Sequence, residues 1–431
     1  MTYYTKWRKR VNGLLIFVPA ICLMTVSCAA ADSAAPQGGA AKLVLKKGDR
    51  VVVIGDSITT QKIYSRFIED YLTMCTPQLD LWLMQLGRPG ETAGGFLGRM
   101  EADLLAFKPN VITTCYGMND GGGRTYEEKI GDAYYQNMKT LVTRAKAAGV
   151  ITVVGGPGMV EVGPVGWNNN TPVEAYNNNL SHLSGMARKV AMERGMVFAN
   201  VHGKMMGGIA SAKAALGDKY RPMYGNLHPN PCGHLVMAYA FLKGMGLDGN
   251  IGTITLNMNG EAEVTEGHKV LSSKAGEAEI ESQRYPFCFF DTRDIVPFVP
   301  FNQDLNRLTL VVKNLKSDKA KIVWDEKSKS FTREQLANGI NLAAEFLDNP
   351  FSKAFARVDG VVARKQQYET DMFESIFPSL SAVQKNFGMD AEATAAFKTL
   401  RERALAKHES LRKEVLAARL PVKHKLTAMP E

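Results

Sequence analysis

The sequence predicts an α/β protein in which a parallel sheet lies between two layers of helices. Two observations predict this class. First, short β-branched and apolar runs alternate with longer segments of helical spacing over residues 50–245, and strands separated by helices form a parallel sheet. Second, several predicted strands end in glycine-containing turns with polar residues, at the edge where open α/β sheets bind ligands.

The elements of this α/β domain follow from the local patterns in chain order. Runs of β-branched and apolar residues predict strands at Arg50–Ile54, Leu79–Leu83, Val111–Cys115, Val150–Val154 and Met196–Ala199. Helical spacing predicts helices at Ser65–Thr73, Ala93–Phe107, Tyr126–Ala148, Pro172–Arg194 and His234–Met245. Lys108-Pro109 and Gly149 are typical helix ends.

The pattern changes after Asp248. Short β-like runs separated by turn residues predict a small β-rich accessory unit, with runs at Gly252–Met258, Glu261–Gly267, Arg284–Asp291 and Arg307–Val312. Helical spacing then returns and predicts C-terminal helices at Thr332–Phe346, Ala354–Phe373 and Ala391–Ala417. We therefore divide the chain into a signal peptide, a flexible leader, the α/β domain, the β-rich unit and a C-terminal helical region, at residues 1–31, 32–48, 49–248, 249–330 and 331–431.

The first 31 residues have the pattern of an export signal. A basic start precedes the apolar segment Leu14–Val26, and small residues follow at Ser27–Ala31. The apolar segment, about thirteen residues long, is too short to span a membrane. Cleavage after Ala31 would give a periplasmic or secreted protein. Cleavage before Cys28 would instead give a lipoprotein with a membrane lipid anchor at that cysteine.

The composition is that of a globular protein with a sizeable core. The chain has 431 residues, of which 45% are hydrophobic and 22% are charged. Part of the formal net charge of +9 belongs to the export signal, and the rest is spread along the chain without an aromatic-interleaved basic patch. Nucleic acid is therefore not expected as a partner. The cysteines after the signal lack Cys-x-x-Cys spacing, so no zinc site is expected.

Four blocks of residues carry groups suited to acyl transfer. Ser57 follows the buried strand in Val51–Ser57, so its hydroxyl and its amide are expected at the ligand-binding edge of the sheet. Gly90 follows the second strand and lets the backbone approach a ligand closely. Asn119 follows the third strand and can donate its side-chain amide to an oxyanion. His228 precedes a proline and therefore belongs to a loop, where it can act as a general base.

These four blocks together resemble the SGNH hydrolase family, also called GDSL esterases and lipases, over Arg50–Asp248. The resemblance implies a flavodoxin-like three-layer fold with Ser57 as the nucleophile and His228 as the base. It also implies an oxyanion hole made of the Ser57 and Gly90 amides and the Asn119 side chain. No metal or organic cofactor is implied.

One position departs from the family pattern. The family usually has an aspartate three residues before the histidine, where this chain has Gly225. Loss of the orienting acid can lower the rate by several powers of ten. Three alternatives stay open: a backbone carbonyl or Asn226 orients His228 in a Ser–His dyad, a carboxylate such as Asp218 takes the role, or the site serves binding. In the dyad, Gly225→Asp should raise kcat unless the glycine has a positive φ.

The substrate is less directly encoded. The polar loop at residues 155–171 contains Trp167, which could stack on a sugar, and Asp56 and Arg88 are further candidates for substrate contact. The sequence predicts an exported serine esterase that removes small acyl groups, above all acetyl, from carbohydrate. The alternatives are a non-catalytic or weakly active glycan-binding protein and a lipase or lysophospholipase.

Overall fold

A five-stranded parallel sheet forms the centre of the first half of the chain. The computed structural model describes residues 43–431 except 162, 164, 166–169, 218, 388 and 389. The strands are β1 Arg50–Gly55, β2 Trp82–Gly87, β3 Val111–Cys115, β4 Ile151–Gly155 and β5 Val197–Ala199. They lie in the order β2-β1-β3-β4-β5, and every neighbouring pair is parallel.

Helices cover both faces of this sheet. They are α1 Ser57–Thr60, α2 Tyr64–Asp70, α3 Ala93–Leu97, α4 Glu128–Ala147, α5 Val173–Arg194, α6 Val201–Leu216 and α7 Pro231–Gly244. Val51 and Val53 pack in one core with α2, α6 and α7, whereas Val52 and Ile54 pack in a second core with α3, α4 and α5. Successive side chains of a strand point to opposite faces, so one apolar run fills both cores. The predicted three-layer α/β/α fold is confirmed.

The prediction for this domain differs from the structure at several places. The second strand begins at Trp82 rather than Leu79, because Pro77–Leu79 forms a short 3₁₀ turn and Asp80 has a φ of +46°. The predicted helix over 93–107 is interrupted after α3 and continues as π and 3₁₀ turns. Helix α6 was not predicted, since its three glycines weaken the helical pattern.

The second half of the chain adds two antiparallel-rich sheets. Its strands are β8 Asn250–Asn257, β9 Glu263–Val264, β10 His268–Lys274, β11 Glu277–Ser282, β12 Arg307–Lys313, β13 Lys319–Trp324, β14 Lys327–Thr332, β15 Ile340–Asn341 and β16 Val422–Pro430, after the hairpin strands β6 Met223–Tyr224 and β7 His228–Pro229. One sheet has the order β15-β12-β8-β9 and the other β10-β11-β16-β13-β14. The β-rich region predicted after residue 248 is present.

Helices occupy most of the C-terminal part. They are α8 Phe301–Leu305, α9 Arg333–Asn338, α10 Leu342–Glu345, α11 Ser352–Asp371, α12 Phe377–Phe387 and α13 Ala391–Ala418. The predicted helix over 332–346 is split in two by β15. The β-like run at 284–291 forms no strand, and its aromatic side chains pack instead, with Phe287 and Phe301 ring centroids 4.9 Å apart.

The ends of the chain also refine the predicted divisions. Strand β16 pairs with both β11 and β13, so the last residues of the region predicted as helical complete a sheet of the β-rich unit. Residues 43–48, predicted as part of the leader, pack on the domain: Leu45 is buried and the Val44 N–H donates to the Met245 carbonyl at 3.0 Å. The predicted signal peptide and Cys28 lie outside the described residues. No helix among the described residues is long and apolar enough to cross a membrane.

Candidate active site

Ser57 lies at the carboxyl edge of the sheet, directly after β1. Gly55 is needed for this turn, because a Cβ there would lie 2.2 Å from Thr59 Oγ1 and 2.9 Å from the Cys115 carbonyl. Asp56 caps α1, since its carboxylate accepts the Ile58 N–H at 2.9 Å. Ser57 is the first residue of α1, and first-turn amides have no partner within their own helix.

His228 approaches the same edge from a small hairpin. It lies in β7, which pairs with β6, and its Nε2 is 3.0 Å from Ser57 Oγ. This distance lies within the range for proton transfer to a general base. Asn230 holds the hairpin in place: its amide donates to the Arg221 carbonyl at 2.6 Å, and its oxygen accepts the Cys232 N–H at 2.9 Å. The fold therefore brings together a serine and a histidine that are 171 residues apart.

Gly90 and Asn119 meet at the adjacent loop. Gly90 has a φ of +72°, a conformation that favours glycine. Asn119 Nδ2 donates to the Glu91 carbonyl at 3.1 Å, which leaves its second amide hydrogen for an oxyanion. The Arg88 N–H donates to the Gly55 carbonyl at 3.0 Å and ties this loop to the turn that carries the serine. Three of the four predicted blocks are thus joined by hydrogen bonds, and His228 joins them through Ser57.

Two carboxylates, the buried Glu91 and the half-buried Asp120, hold the oxyanion loop, and the sequence analysis did not identify them. Glu91 accepts two hydrogen bonds from Arg99, both at 2.7 Å, and one from Tyr116 Oη at 3.0 Å. Asp120 accepts the Ala93 N–H and the Gly117 N–H, each at 3.0 Å, so it connects the loops after β2 and β3. The only sequence signal for either role was that these acids directly follow Gly90 and Asn119.

The acids beneath the site have perturbed acidities. Burial raises the pKa of Asp56 to about 7, although the Ile58 N–H lowers it. Burial also raises the pKa of Asp120 to about 6 against three backbone N–H groups. Asp56 is only 1% exposed, and its carboxylate caps α1 inside the fold, which disfavours the predicted contact with substrate.

The other candidates for substrate contact have different outcomes. The Arg88 side chain is half-buried and forms no ion pair with the described residues, so it stays a candidate for contact with a polar substrate. Trp167 lies outside the described residues. Cys232, the cysteine nearest to His228 in sequence, is buried, and burial raises the pKa of its thiol, which disfavours a thiolate nucleophile. The four cysteines of the described chain are free.

The position of the missing aspartate has a clear conformation. Gly225 is the first residue of the turn between β6 and β7 and has a φ of +61°. The gain in kcat predicted for Gly225→Asp required a glycine without a positive φ. Because the φ of Gly225 is positive, an aspartate there would be strained, and the gain is not expected. Among the described residues none forms a hydrogen bond with His228 Nδ1, and Asp218 lies outside them. The three alternatives therefore stay open: a Ser–His dyad, a carboxylate from elsewhere in the chain, or a site that serves binding.

We expect the pH profile of kcat/KM to show whether the group that faces His228 Nδ1 is neutral or charged. Burial lowers the pKa of His228 from 6.5, and only the neutral imidazole can accept the serine proton. Activity should therefore persist as the pH falls to 6.5 and decline only below it. Steady-state rates with p-nitrophenyl acetate from pH 4 to 9 would measure the midpoint.

Two variants show which group determines the midpoint of this pH profile. Asp56→Asn should leave the midpoint unchanged, and this result would show that the midpoint does not come from titration of Asp56. A midpoint at or above pH 7 that falls in Asp218→Asn would contradict a neutral partner, because a facing carboxylate raises a histidine pKa.

The fold and this edge define a three-layer α/β/α protein with a serine and a histidine in hydrogen-bond contact. Residues 53–236 match the model of the GDSL-like lipase/acylhydrolase family. This segment is thus an SGNH (GDSL-like) hydrolase domain, and the chain is a carboxylic ester hydrolase, as the four blocks predicted.

Known proteins show similarity over different lengths of the chain. An acetylxylan esterase of Geobacillus stearothermophilus is 23% identical over 231 residues, which are 47% of this chain and 95% of that protein. The solved structure of a gut microbial diltiazem-metabolizing enzyme is 22% identical, with a TM-score of 0.70, and covers 91% of this chain and 100% of its own. A solved acetylxylan esterase of Geobacillus stearothermophilus, 20% identical with a TM-score of 0.40, covers 47% of this chain and 97% of its own.

Proposed function

We propose that this esterase removes acetyl groups from carbohydrate through an acyl-enzyme on Ser57. The contact of Ser57 Oγ with His228 Nε2 at 3.0 Å, beside Gly90 and Asn119, carries this proposal. It supplies a nucleophile with an adjacent base at the sheet edge where α/β proteins bind ligands.

The reaction follows from these groups. His228 Nε2 takes the proton of Ser57 while Oγ attacks the ester carbonyl. The amides of Ser57 and Gly90 and the Asn119 side chain donate to the oxyanion, and each such donor is worth about 3–4 kcal/mol where this has been measured. As the tetrahedral intermediate collapses, the C–O bond to the alcohol breaks and His228 gives the leaving oxygen its proton. Water then repeats the sequence on the acyl-enzyme and releases acetate.

Support for an acetylated carbohydrate comes from the curated relative. The acetylxylan esterase resembles this chain over nearly all of its own length. The half-buried Arg88, two residues before Gly90, adds a hydrogen-bond donor suited to sugar hydroxyls.

Acyl-chain and alcohol selectivity test the proposal. We expect kcat/KM to fall by about tenfold or more from p-nitrophenyl acetate to the octanoate, and acetate to be released from acetylated xylooligosaccharides. Ser57→Ala is the control for non-enzymatic release. Preference for the octanoate would instead support the lipase or lysophospholipase alternative.

A glycan-binding protein without useful activity is the second candidate. Gly225, in place of the usual acid, favours it. Calorimetry with deacetylated xylooligosaccharides distinguishes the two: tight binding together with rates equal to those of Ser57→Ala would support binding alone.

We also propose that the protein is exported, to the periplasm or beyond the cell. The basic, apolar and small-residue segments of residues 1–31 support this. Sequencing the N-terminus of the native protein should give Asp32, or a lipid-modified Cys28 in the anchored alternative. An intact Met1 would contradict both.

A further inference from the structure

The hairpin that carries His228 also presents Tyr224. Strands β6 and β7 pair antiparallel with Tyr224 opposite His228 and Met223 opposite Pro229. Residues directly opposite each other in such a pair place their side chains on the same face, with Cβ atoms about 5 Å apart. Met223 and Pro229 occupy the buried face. Tyr224 therefore projects from the face on which His228 reaches Ser57.

The Tyr224 ring is free to contact a ligand. It is 56% exposed and makes no hydrogen bond or ring contact with the rest of the described chain. Among the described residues, one other aromatic side chain, that of Phe290, belongs to the exposed large hydrophobic group. The Phe290 ring packs against the Phe355 ring, with centroids 5.9 Å apart. An aromatic ring left without an internal packing partner beside the base is placed to contact the substrate.

The turn fixes where the ring stands. Gly225, which follows Tyr224, has a φ of +61°, and Pro229 and Asn230 anchor the other end of the hairpin. Tyrosine loses little conformational entropy on binding, because its side chain has only two rotatable angles. The flat ring can cover the apolar C–H face of a pyranose, and its hydroxyl stays in water.

We propose that Tyr224 is a stacking platform for the sugar ring that carries the acetyl group, and that it selects for the alcohol part of the ester. This inference rests on the proposed function. The sequence analysis assigned sugar stacking to Trp167; Tyr224 supplies such a surface within the described chain and next to the reacting atoms.

The test compares two acetate esters that share the same acyl group and differ in the alcohol. Acetylated xylobiose offers a sugar ring, whereas ethyl acetate offers none. In Tyr224→Ala the ratio of kcat/KM for acetylated xylobiose to that for ethyl acetate should fall by about tenfold, mainly through KM. Using the ratio removes any effect of the substitution on His228 itself.

Two further variants separate stacking from other roles. Tyr224→Phe keeps the ring and should keep the ratio, so a loss as large as in Tyr224→Ala would overturn stacking. Met192→Ala, at a 70% exposed position on α5, is the control and should keep it too. An unchanged ratio in Tyr224→Ala would overturn this inference alone. Failure of the unmodified enzyme to hydrolyse acetylated xylobiose while it hydrolyses ethyl acetate would overturn the proposed function as well.

Discussion

Ser57→Ala should lower kcat for p-nitrophenyl acetate by roughly four to six powers of ten while the protein stays folded. The reason is chemical: the substitution removes the only atom in hydrogen-bond contact with His228 Nε2 among the described residues. The amide donors remain, so the residual rate should still exceed that of the uncatalysed reaction. Initial rates with purified protein, and circular dichroism to check folding, measure this.

Covalent labelling identifies the nucleophile independently of the rate. A fluorophosphonate probe should modify Ser57, as mapped by mass spectrometry, and should not label Ser57→Ala. Ser181→Ala is a matched control, because Ser181 is an exposed serine on α5 and its loss should change neither labelling nor rate. Labelling of another residue on active protein would contradict the assignment.

The chemistry of the site could be predicted because three of its four groups, Ser57, Gly90 and Asn119, closely follow strands of the parallel sheet. Val51–Ser57 contains a buried strand, a tight glycine and the serine in one short segment, so local sequence determines the position of Ser57. The same applies to Gly90 and Asn119. Their meeting follows from parallel pairing, which brings the carboxyl ends of β1, β2 and β3 to one edge.

The supporting groups could not be predicted, because their roles depend on contacts between distant segments. Glu91 is an ordinary acid in sequence, and only folding places Arg99 and Tyr116 around it. Gln85 is polar, which obscured the extent of β2, and its burial depends on α11. Strand β16, by contrast, has a readable alternation, since Val422, His424, Leu426 and Ala428 are buried between more exposed neighbours.

The C-terminal helices join the α/β domain through a buried ionic cluster, which we define as Glu69, Lys365, Glu369 and His408. Lys365 Nζ contacts Glu69 at 2.9 Å and Glu369 at 2.6 Å, and His408 Nε2 contacts Glu369 at 2.8 Å. Glu369 also accepts the backbone N–H of Gln85 at 3.0 Å. The cluster therefore covers the open edge of β2 as well as neutralising charge.

The charges of this cluster depend on one another. Burial alone would lower the pKa of Lys365, but Glu369 and Glu69 raise it. Burial likewise opposes ionisation of Glu369, but Lys365 and His408 outweigh burial and lower the pKa of Glu369. At neutral pH the lysine and Glu369 are thus both charged, and each is stable inside the protein only because the other is present.

Lys365→Ala should lower the free energy of unfolding by about 3–5 kcal/mol, because it removes the buried ammonium that Glu69 and Glu369 share. Guanidinium unfolding followed by circular dichroism measures the change. The control is Lys398→Ala in the exposed pair Lys398–Glu402, where a change below about 0.5 kcal/mol is expected.

Replacing the whole cluster distinguishes buried charge from lost packing. The combined variant Glu69→Gln, Lys365→Met and Glu369→Gln removes the buried charges and keeps an acceptor for the Gln85 N–H, so it should recover most of the stability lost in Lys365→Ala. If Lys365→Ala were as stable as the unmodified protein, the cluster would not hold the helices on β2. Because β2 leads directly into the loop of Gly90, the C-terminal helices would then not stabilise the oxyanion site. If Lys365→Ala lowers the free energy of unfolding as expected, residues far beyond the family-matched segment stabilise the sheet edge that carries the active site.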